Sequence, residues 1–156
     1  MATLTQAISI ISEISHLTEK QIRAISYKFQ QIDLIPVSSG RDVKHISEAQ
    51  FALLILACYV EVPGLKPVAS AQYYYDLTDE NSRRAGDAIA SALTSGKANA
   101  IQIEISDPAV YVVTTEGAQR FGAAPTPSKV AFRVEFGQQV LERTAALWRK
   151  SAPPVT

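Results

Sequence analysis

The chain has very little of what disulfide-rich, metal-binding and membrane-spanning proteins depend on. It contains one cysteine, Cys58, which has no internal disulfide partner and is interpreted as a small core residue. The two histidines have no cysteine nearby and no carboxylate at zinc-ligand spacing, so no metal site is expected. The longest apolar run, residues 51–60, is too short to cross a bilayer. Without a basic leader at its start, the chain is expected to be cytoplasmic and to make no membrane contact.

Motifs of phosphate-binding and hydrolytic enzymes are missing as well. There is no Gly-rich phosphate loop and no Gly-x-Ser-x-Gly elbow. Four carboxylates surround a predicted helix start, where they favour the helix dipole, so we interpret them as capping and solvating groups: Asp76, Asp79, Glu80 and Asp87. Spacing alone leaves open a nuclease with carboxylates that converge on Mg²⁺. The prediction is a non-enzymatic protein without a cofactor.

Charge is balanced over the whole chain but not along it. The 15 basic and 15 acidic residues give a formal net charge of zero, so the overall field cannot attract nucleic acid or a membrane. Basic side chains outnumber acidic ones in residues 16–45 and 129–150, and the reverse holds in residues 61–128. This pattern indicates a basic binding end on a neutral body.

Apolar periodicity predicts helices through the first two thirds of the chain. The predicted segments are residues 4–15, 18–32, 47–59, 68–77 and 81–94. Thr18 with Gln21, and Ser47 with Gln50, have the spacing of capping boxes at two of these helix starts. Between them, residues 33–47 contain Pro36 and are predicted to be extended or looped.

The period changes after Gly96, where alternation predicts strands. Residues 101–105, 110–114 and 130–136 are predicted to form an antiparallel three-stranded meander with its first turn at Asp107-Pro108. Residues 117–128 are predicted to be a mobile hairpin loop, because they contain Gly122 and two prolines. A final amphipathic helix is predicted over residues 138–150, followed by a frayed tail at 151–156.

The segment after residue 16 has the order of parts found in a helix-turn-helix with a wing. The helix that starts at Thr18 should expose Lys20, Gln21 and Arg23 in its first turns, where side chains of a recognition helix meet base edges. The loop that follows is predicted to act as a wing against the DNA backbone. The complete predicted DNA-binding set is Thr18, Lys20, Gln21, Arg23, Lys28, Ser39, Arg41, Lys44 and His45.

These residues resemble the MerR-type winged helix-turn-helix DNA-binding domain over residues 10–55. The similarity rests on residues 17–23 (LTEKQIR), 34–36 (LIP), 40–41 (GR) and 46–48 (ISE). Asp33 replaces the glycine of that pattern, Ala24 and Ile25 replace an aromatic pair, and the helix is about one turn longer. The resemblance implies recognition of double-stranded DNA, and related wings in phage proteins make a phage or mobile-element origin an expectation.

The expected fold class is α+β. Residues 1–95 should form the helical, winged helix-turn-helix-like part, and residues 96–150 a small sheet with a C-terminal helix. Three strands and a helix bury little alone, so this part must pack on the helical half or on a second copy. We therefore expect a homo-oligomer, with an interface built from Tyr74, Val140, Leu147 and Trp148.

The expected function is sequence-specific DNA binding, by a bacterial or phage transcriptional regulator. One alternative is a phage-type DNA-packaging or recombination accessory protein that uses the same module. A second alternative is a non-enzymatic adaptor or inhibitor, or a helical scaffold, whose acidic middle segment binds another protein.

Overall fold

A computed structural model describes residues 1–60, 65–123 and 132–151 and confirms the α+β class. The helices in these ranges are α1 (Leu4–Ile14), α2 (Glu19–Gln30), α3 (Glu48–Tyr59), α4 (Pro67–Tyr75), α5 (Ala85–Ser95) and α6 (Gln138–Ser151). The strands are β1 (Ala2–Thr3), β2 (His45–Ile46), β3 (Ala100–Glu104), β4 (Ala109–Thr114), β5 (Gly117–Gly122) and β6 (Arg133–Gly137). None of the helices in the described ranges is long and apolar enough to span a membrane.

The first three helices begin at capping boxes. Both boxes predicted from the sequence, Thr18 with Gln21 and Ser47 with Gln50, are confirmed at the starts of α2 and α3. A third box, which the sequence analysis did not identify, joins Thr3 and Gln6 at the start of α1. Each box satisfies backbone N–H groups that the first helical turn leaves without partners, and so fixes where the helix begins.

Helix α2 ends earlier than predicted. Its last turn closes with Leu34 N–H donating to Phe29 O at 3.0 Å and Asp33 N–H donating to Gln30 O at 3.2 Å. Asp33 has a φ of 58°, so these bonds form a Schellman motif with a left-handed residue after the helix. Ile32, predicted to continue the buried stripe of the helix, is 52% exposed because this turn rotates it outward.

The start of the chain is paired with the segment that precedes α3. Strands β1 and β2 are antiparallel, with Ala2 opposite Ile46 and Thr3 opposite His45. Ala2 and Ile46 are both fully buried. The loop that leaves the end of α2 therefore returns to the beginning of α1.

The larger sheet has four strands in the order β5-β4-β3-β6, all antiparallel, so the predicted three-stranded meander is wrong in number. The additional strand, β5, lies in the tract predicted to be a loop. Its GAQRFG sequence lacks β-branched residues, and its six-residue pairing with β4 outweighs that weak local preference. The rest of the predicted loop, residues 124–128, and the predicted strand start at Val130 lie outside the described residues.

One hydrophobic core runs through both predicted halves of the chain. The sheet face that carries Ile101, Ile103 and Phe121 packs with the helices. Helix α6 contacts α1 and α5, and its Trp148 ring stacks on Phe51 of α3 at 4.5 Å. The sheet region thus packs on the helical region of the same chain.

Two residues that were predicted to form an interface between copies of the chain lie in this core instead. Tyr74 is fully buried and donates a hydrogen bond to the carbonyl of Glu104, and Trp148 is 5% exposed. Neither offers a surface to a second copy, because both are already covered within one chain. Val140 and Leu147 are partly buried against the same core.

Candidate nucleic-acid interface

Helix α2 has one buried and one exposed face. Ile22, Ser26 and Phe29 are buried, and Ser26 satisfies its hydroxyl by donating to the carbonyl of Arg23 at 2.8 Å. At about 100° per residue, the centre of the opposite face falls on a line of four exposed residues. These are Lys20, Ala24, Tyr27 and Gln31, with Arg23 exposed on one flank and Gln21 and Lys28 on the other.

The N-terminal end of α2 uses part of the predicted recognition set for its own cap. The Gln21 side-chain oxygen accepts from Thr18 N–H at 2.9 Å, and the Thr18 hydroxyl oxygen accepts from Gln21 N–H at 3.3 Å. Gln21 therefore keeps its amide NH₂ for a ligand but not its oxygen. Two-pronged pairing of Gln21 with adenine, which needs both atoms, would require the cap to open.

The predicted wing is a short exposed hairpin, residues 37–44, which we call the flap. Ser39 and Asp42 exchange backbone hydrogen bonds of 3.2 and 2.9 Å around Gly40, whose φ is 55°. Lys44 is partly neutralised, because its Nζ lies 2.7 Å from an Asp42 carboxylate oxygen. Arg41 is exposed and, within the described residues, has no carboxylate partner.

The flap is anchored at the C-terminal end of α2 and at β1. One end of the flap is fixed where α2 finishes, with the Gln30 amide donating to Pro36 O at 3.3 Å, and the other end is fixed at β1. Since α2 has 12 residues, its two ends lie about 18 Å apart. The flap is therefore anchored at the opposite end of α2 from Lys20, Gln21 and Arg23.

Helix α2 and the flap carry exposed cations without carboxylate partners, as do other parts of the described chain, for example at Lys97, Arg149 and Lys150. Lys20, Arg23 and Lys28 are all exposed, and none has a carboxylate partner within the described ranges. The arginines of the body are mostly paired: Arg83 with Asp79, Arg84 with Asp76 and Asp87, Arg133 with Glu104, and Arg143 with Glu13. The cations of α2 are thus free to meet an external anion.

Comparison of the chain with protein-family models, with curated proteins and with solved structures finds no match in any of the three.

Exposed apolar side chains accompany these cations, and the sequence analysis missed them. Tyr27, Val37 and Val43 are 60%, 59% and 54% exposed. Tyr27 could have been found, because it lies on the side of α2 opposite Ile22 and Phe29. The two valines could not, because the flap has no period from which exposure can be read.

The acidic group of the sequence analysis has a structural role at another site. Asp79 has a nearly buried side chain, 4% exposed, and its carboxylate accepts from Gln119 Nε2, Arg83 Nε and the backbone N–H groups of Asn81 and Arg83. Burial raises the pKa of Asp79, but these hydrogen bonds lower it more, to about 2. Asp79 organises a loop before α5, which is why that helix starts at Ala85 rather than at the predicted residue 81.

Cys58 and the two histidines do not form a reactive or metal-binding group in the described part of the chain. Burial raises the pKa of the Cys58 thiol to about 12, so it stays protonated at neutral pH and packs as a core residue. His16 and His45 are both exposed, and within the described residues no set of three possible ligands is close enough to hold a metal ion.

Proposed function

We propose that the chain binds double-stranded DNA through α2 and the flap, as a bacterial or phage transcriptional regulator of the winged helix-turn-helix type. The observation that carries this proposal is the exposed face of α2, on which Lys20, Arg23 and Lys28 lack carboxylate partners in the described ranges. Unpaired cations on one helix face match the charge of a DNA backbone, and an α-helix fits the width of a major groove.

The contacts divide by chemistry. Arg23 presents a guanidinium fork suited to guanine, whereas Lys20, Lys28 and Arg41 provide positive charge for phosphates. Tyr27, at the centre of the exposed face, offers an apolar surface to a thymine methyl group. Lys44 contributes less than its sequence position implies, because it must first give up its contact with Asp42.

The backbone at the end of α2 adds support to the MerR-type resemblance. Asp33 stands where that pattern has glycine, and its φ of 58° is in the left-handed region that glycine favours. Asp33 therefore differs from the glycine in residue type while adopting a backbone conformation that glycine also favours. The added turn of α2 lies before this corner and leaves the corner itself intact.

Titration of a random-sequence duplex at two salt concentrations tests the proposal. Wild type should bind more weakly at higher salt, with a log–log slope of about −0.9 for each phosphate contacted. Replacing Lys20, Lys28 and Arg41 with glutamine should flatten the slope by about three units. The matched control replaces Lys97, Arg149 and Lys150, also exposed, with glutamine and removes the same charge. Equal slopes for the two variants, or no salt-dependent affinity in wild type, would contradict the proposal.

A further inference from the structure

A polar cavity of about 530 Å³ lies along the free edge of β5, and none of its lining residues belongs to α2 or the flap. The strand provides one wall, which includes Gln119, Arg120 and Gly122. The loop between α4 and α5 provides the other wall, which includes Thr78 and Arg83. The cavity is large enough for a small organic molecule.

The two walls are held together by hydrogen bonds. Gly122 N–H donates to Thr78 O at 2.9 Å, and Gln119 Nε2 donates to an Asp79 carboxylate oxygen at 2.9 Å. Asp79 also accepts from Arg83 Nε at 2.8 Å, so the loop is tied both to the strand and to itself. The cavity therefore exists before any ligand binds.

Four charged side chains line the cavity, of which Asp79 and Arg83 pair with each other, while Glu80 and Arg120 have no ionic partner in the described ranges. Asp79 and Arg83 neutralise each other at 2.8 Å, and Glu80 is exposed on the loop. Arg120 has no carboxylate partner in the described ranges, and its Nε and Nη2 atoms are buried without any hydrogen-bond acceptor. These are the only such buried side-chain atoms among the described residues.

Arg120 is half-buried, and its Nε and Nη2 groups are costly, because they lose water and gain no hydrogen bond in return. The neighbours of Arg120 on its face of the sheet cannot help. Ala118 and Gly122, two residues away on the same strand, carry no polar side chain. Directly across on β4 lies Tyr111, which offers no carboxylate.

We propose that this cavity binds a small anion bearing a carboxylate or phosphate group, and that Arg120 is its principal ligand. The guanidinium fork matches either group with two parallel hydrogen bonds. Arg120 lines the cavity, and on this proposal a change of its side-chain rotamer turns the Nε and Nη2 groups toward the bound anion. Binding of the anion then supplies the acceptors that the chain itself does not provide.

Thermal unfolding in the presence of added anions tests this site without DNA, so its outcome is independent of the proposed function. The probes are inorganic phosphate and, separately, succinate, at ionic strength held constant with sodium chloride. At saturation, at least one probe should raise the Tm of wild type by several degrees. Arg120→Met should lose this rise, and Arg149→Met, at an exposed position outside the cavity, should keep it. No rise in wild type, or the same rise in Arg120→Met, would overturn the proposal.

Two further measurements separate a ligand role from a structural one. Without anion, Arg120→Met should unfold at a temperature no lower than wild type, because it removes two buried N–H groups that have no acceptor. Arg120→Lys keeps the charge but not the fork, and should raise the half-saturating anion concentration at least tenfold. A lower Tm for Arg120→Met in anion-free buffer would show that Arg120 stabilises the fold without a ligand, and unchanged affinity in Arg120→Lys would show that the guanidinium fork does not recognise the anion; either result would contradict the proposal.

Discussion

Asp33 and Asp79 show how single side chains set loop conformation in this protein. Asp33 accepts a left-handed backbone and ends α2 at a fixed point, while Asp79 gathers four donors and shapes the loop before α5. Aspartate suits both tasks, since it tolerates the left-handed region and bonds readily to nearby backbone N–H groups. The two residues lead to predictions of different kind, one of backbone strain and one of ionisation.

Asp33→Gly should stabilise the protein. Removing the Cβ relieves the left-handed conformation, and after the entropy lost to a freer unfolded chain we expect a gain of about 0.5 kcal/mol in the free energy of unfolding. Gly40→Ala is the converse control. Its φ is 55° with nothing within 4 Å of the added methyl group, so strain alone should cost about 1 kcal/mol. Urea denaturation measures both changes, and a loss of stability in Asp33→Gly would show that the carboxylate matters more than the backbone.

Asp79 should make stability depend on acid pH. Its pKa is lowered to about 2 in the folded protein, against 3.8 for the free group, so its ionised form stabilises the fold. That stabilisation is complete above about pH 4 and disappears as the pH falls toward 2. Asp79→Asn should therefore be less stable than wild type at pH 6, with the difference shrinking between pH 4 and 2. Asp42→Asn, at an exposed carboxylate, is the control, and a pH-independent difference for Asp79→Asn would disprove the assignment.

Helices and strands were predicted well where neighbouring residues determine them, and poorly where contacts with distant residues determine them. The starts of α2 and α3 followed from capping boxes of four residues, and the class of each flanking element followed from its period. Strand β5 was missed because only its partner β4 makes GAQRFG extended. The start of α5 was missed because Gln119, 40 residues further along the chain, helps to hold Asp79 in the preceding loop.

In the candidate site, too, features set by the local sequence could be predicted and side-chain contacts could not. Exposure of Lys20, Arg23 and Lys28 could be predicted, because it follows from the apolar stripe of one helix. The pairing of Lys44 with Asp42 and the capping use of the Gln21 oxygen could not, because each depends on a side-chain rotamer. The place of Arg120 beside the cavity could not be predicted, because the strand that carries it, β5, was not expected.

Within α2, Arg23 and Lys28 should differ in what they do to DNA binding. Arg23→Ala should reduce discrimination between the preferred duplex and random DNA by about 1–3 kcal/mol, because a base contact is lost. Lys28→Ala should weaken all duplexes alike and flatten the salt slope by about one unit. Competition titrations at two salt concentrations measure both effects. If the two variants behave identically, the assigned division between base and phosphate contacts is wrong.

At the scale of the whole molecule, the shared core makes the two sequence regions interdependent. Phe51 of α3 and Trp148 of α6 stack across them, and α6 packs on both α1 and α5. Stability is then a property of the entire chain and not of a separable helical half.

Unfolding should accordingly occur in one step. Trp148, the single tryptophan, reports on the contact between the two regions, and far-ultraviolet circular dichroism reports on the helices. Their urea transitions should coincide.

Trp148→Ala should lower the free energy of unfolding by about 3–5 kcal/mol, and a fragment of residues 1–95 should not fold alone. Two separate transitions, or a folded fragment, would show that the regions are independent domains.

Thr3 connects the start of α1 to the end of the flap. It caps α1 with its side chain and, through the β1–β2 pair, holds His45 at the returning end of the flap. A fusion tag joined directly before Ala2 would therefore disturb the start of α1 and the returning end of the flap together. Loss of DNA affinity in a protein tagged at that position would report on the tag rather than on the residues proposed to contact DNA.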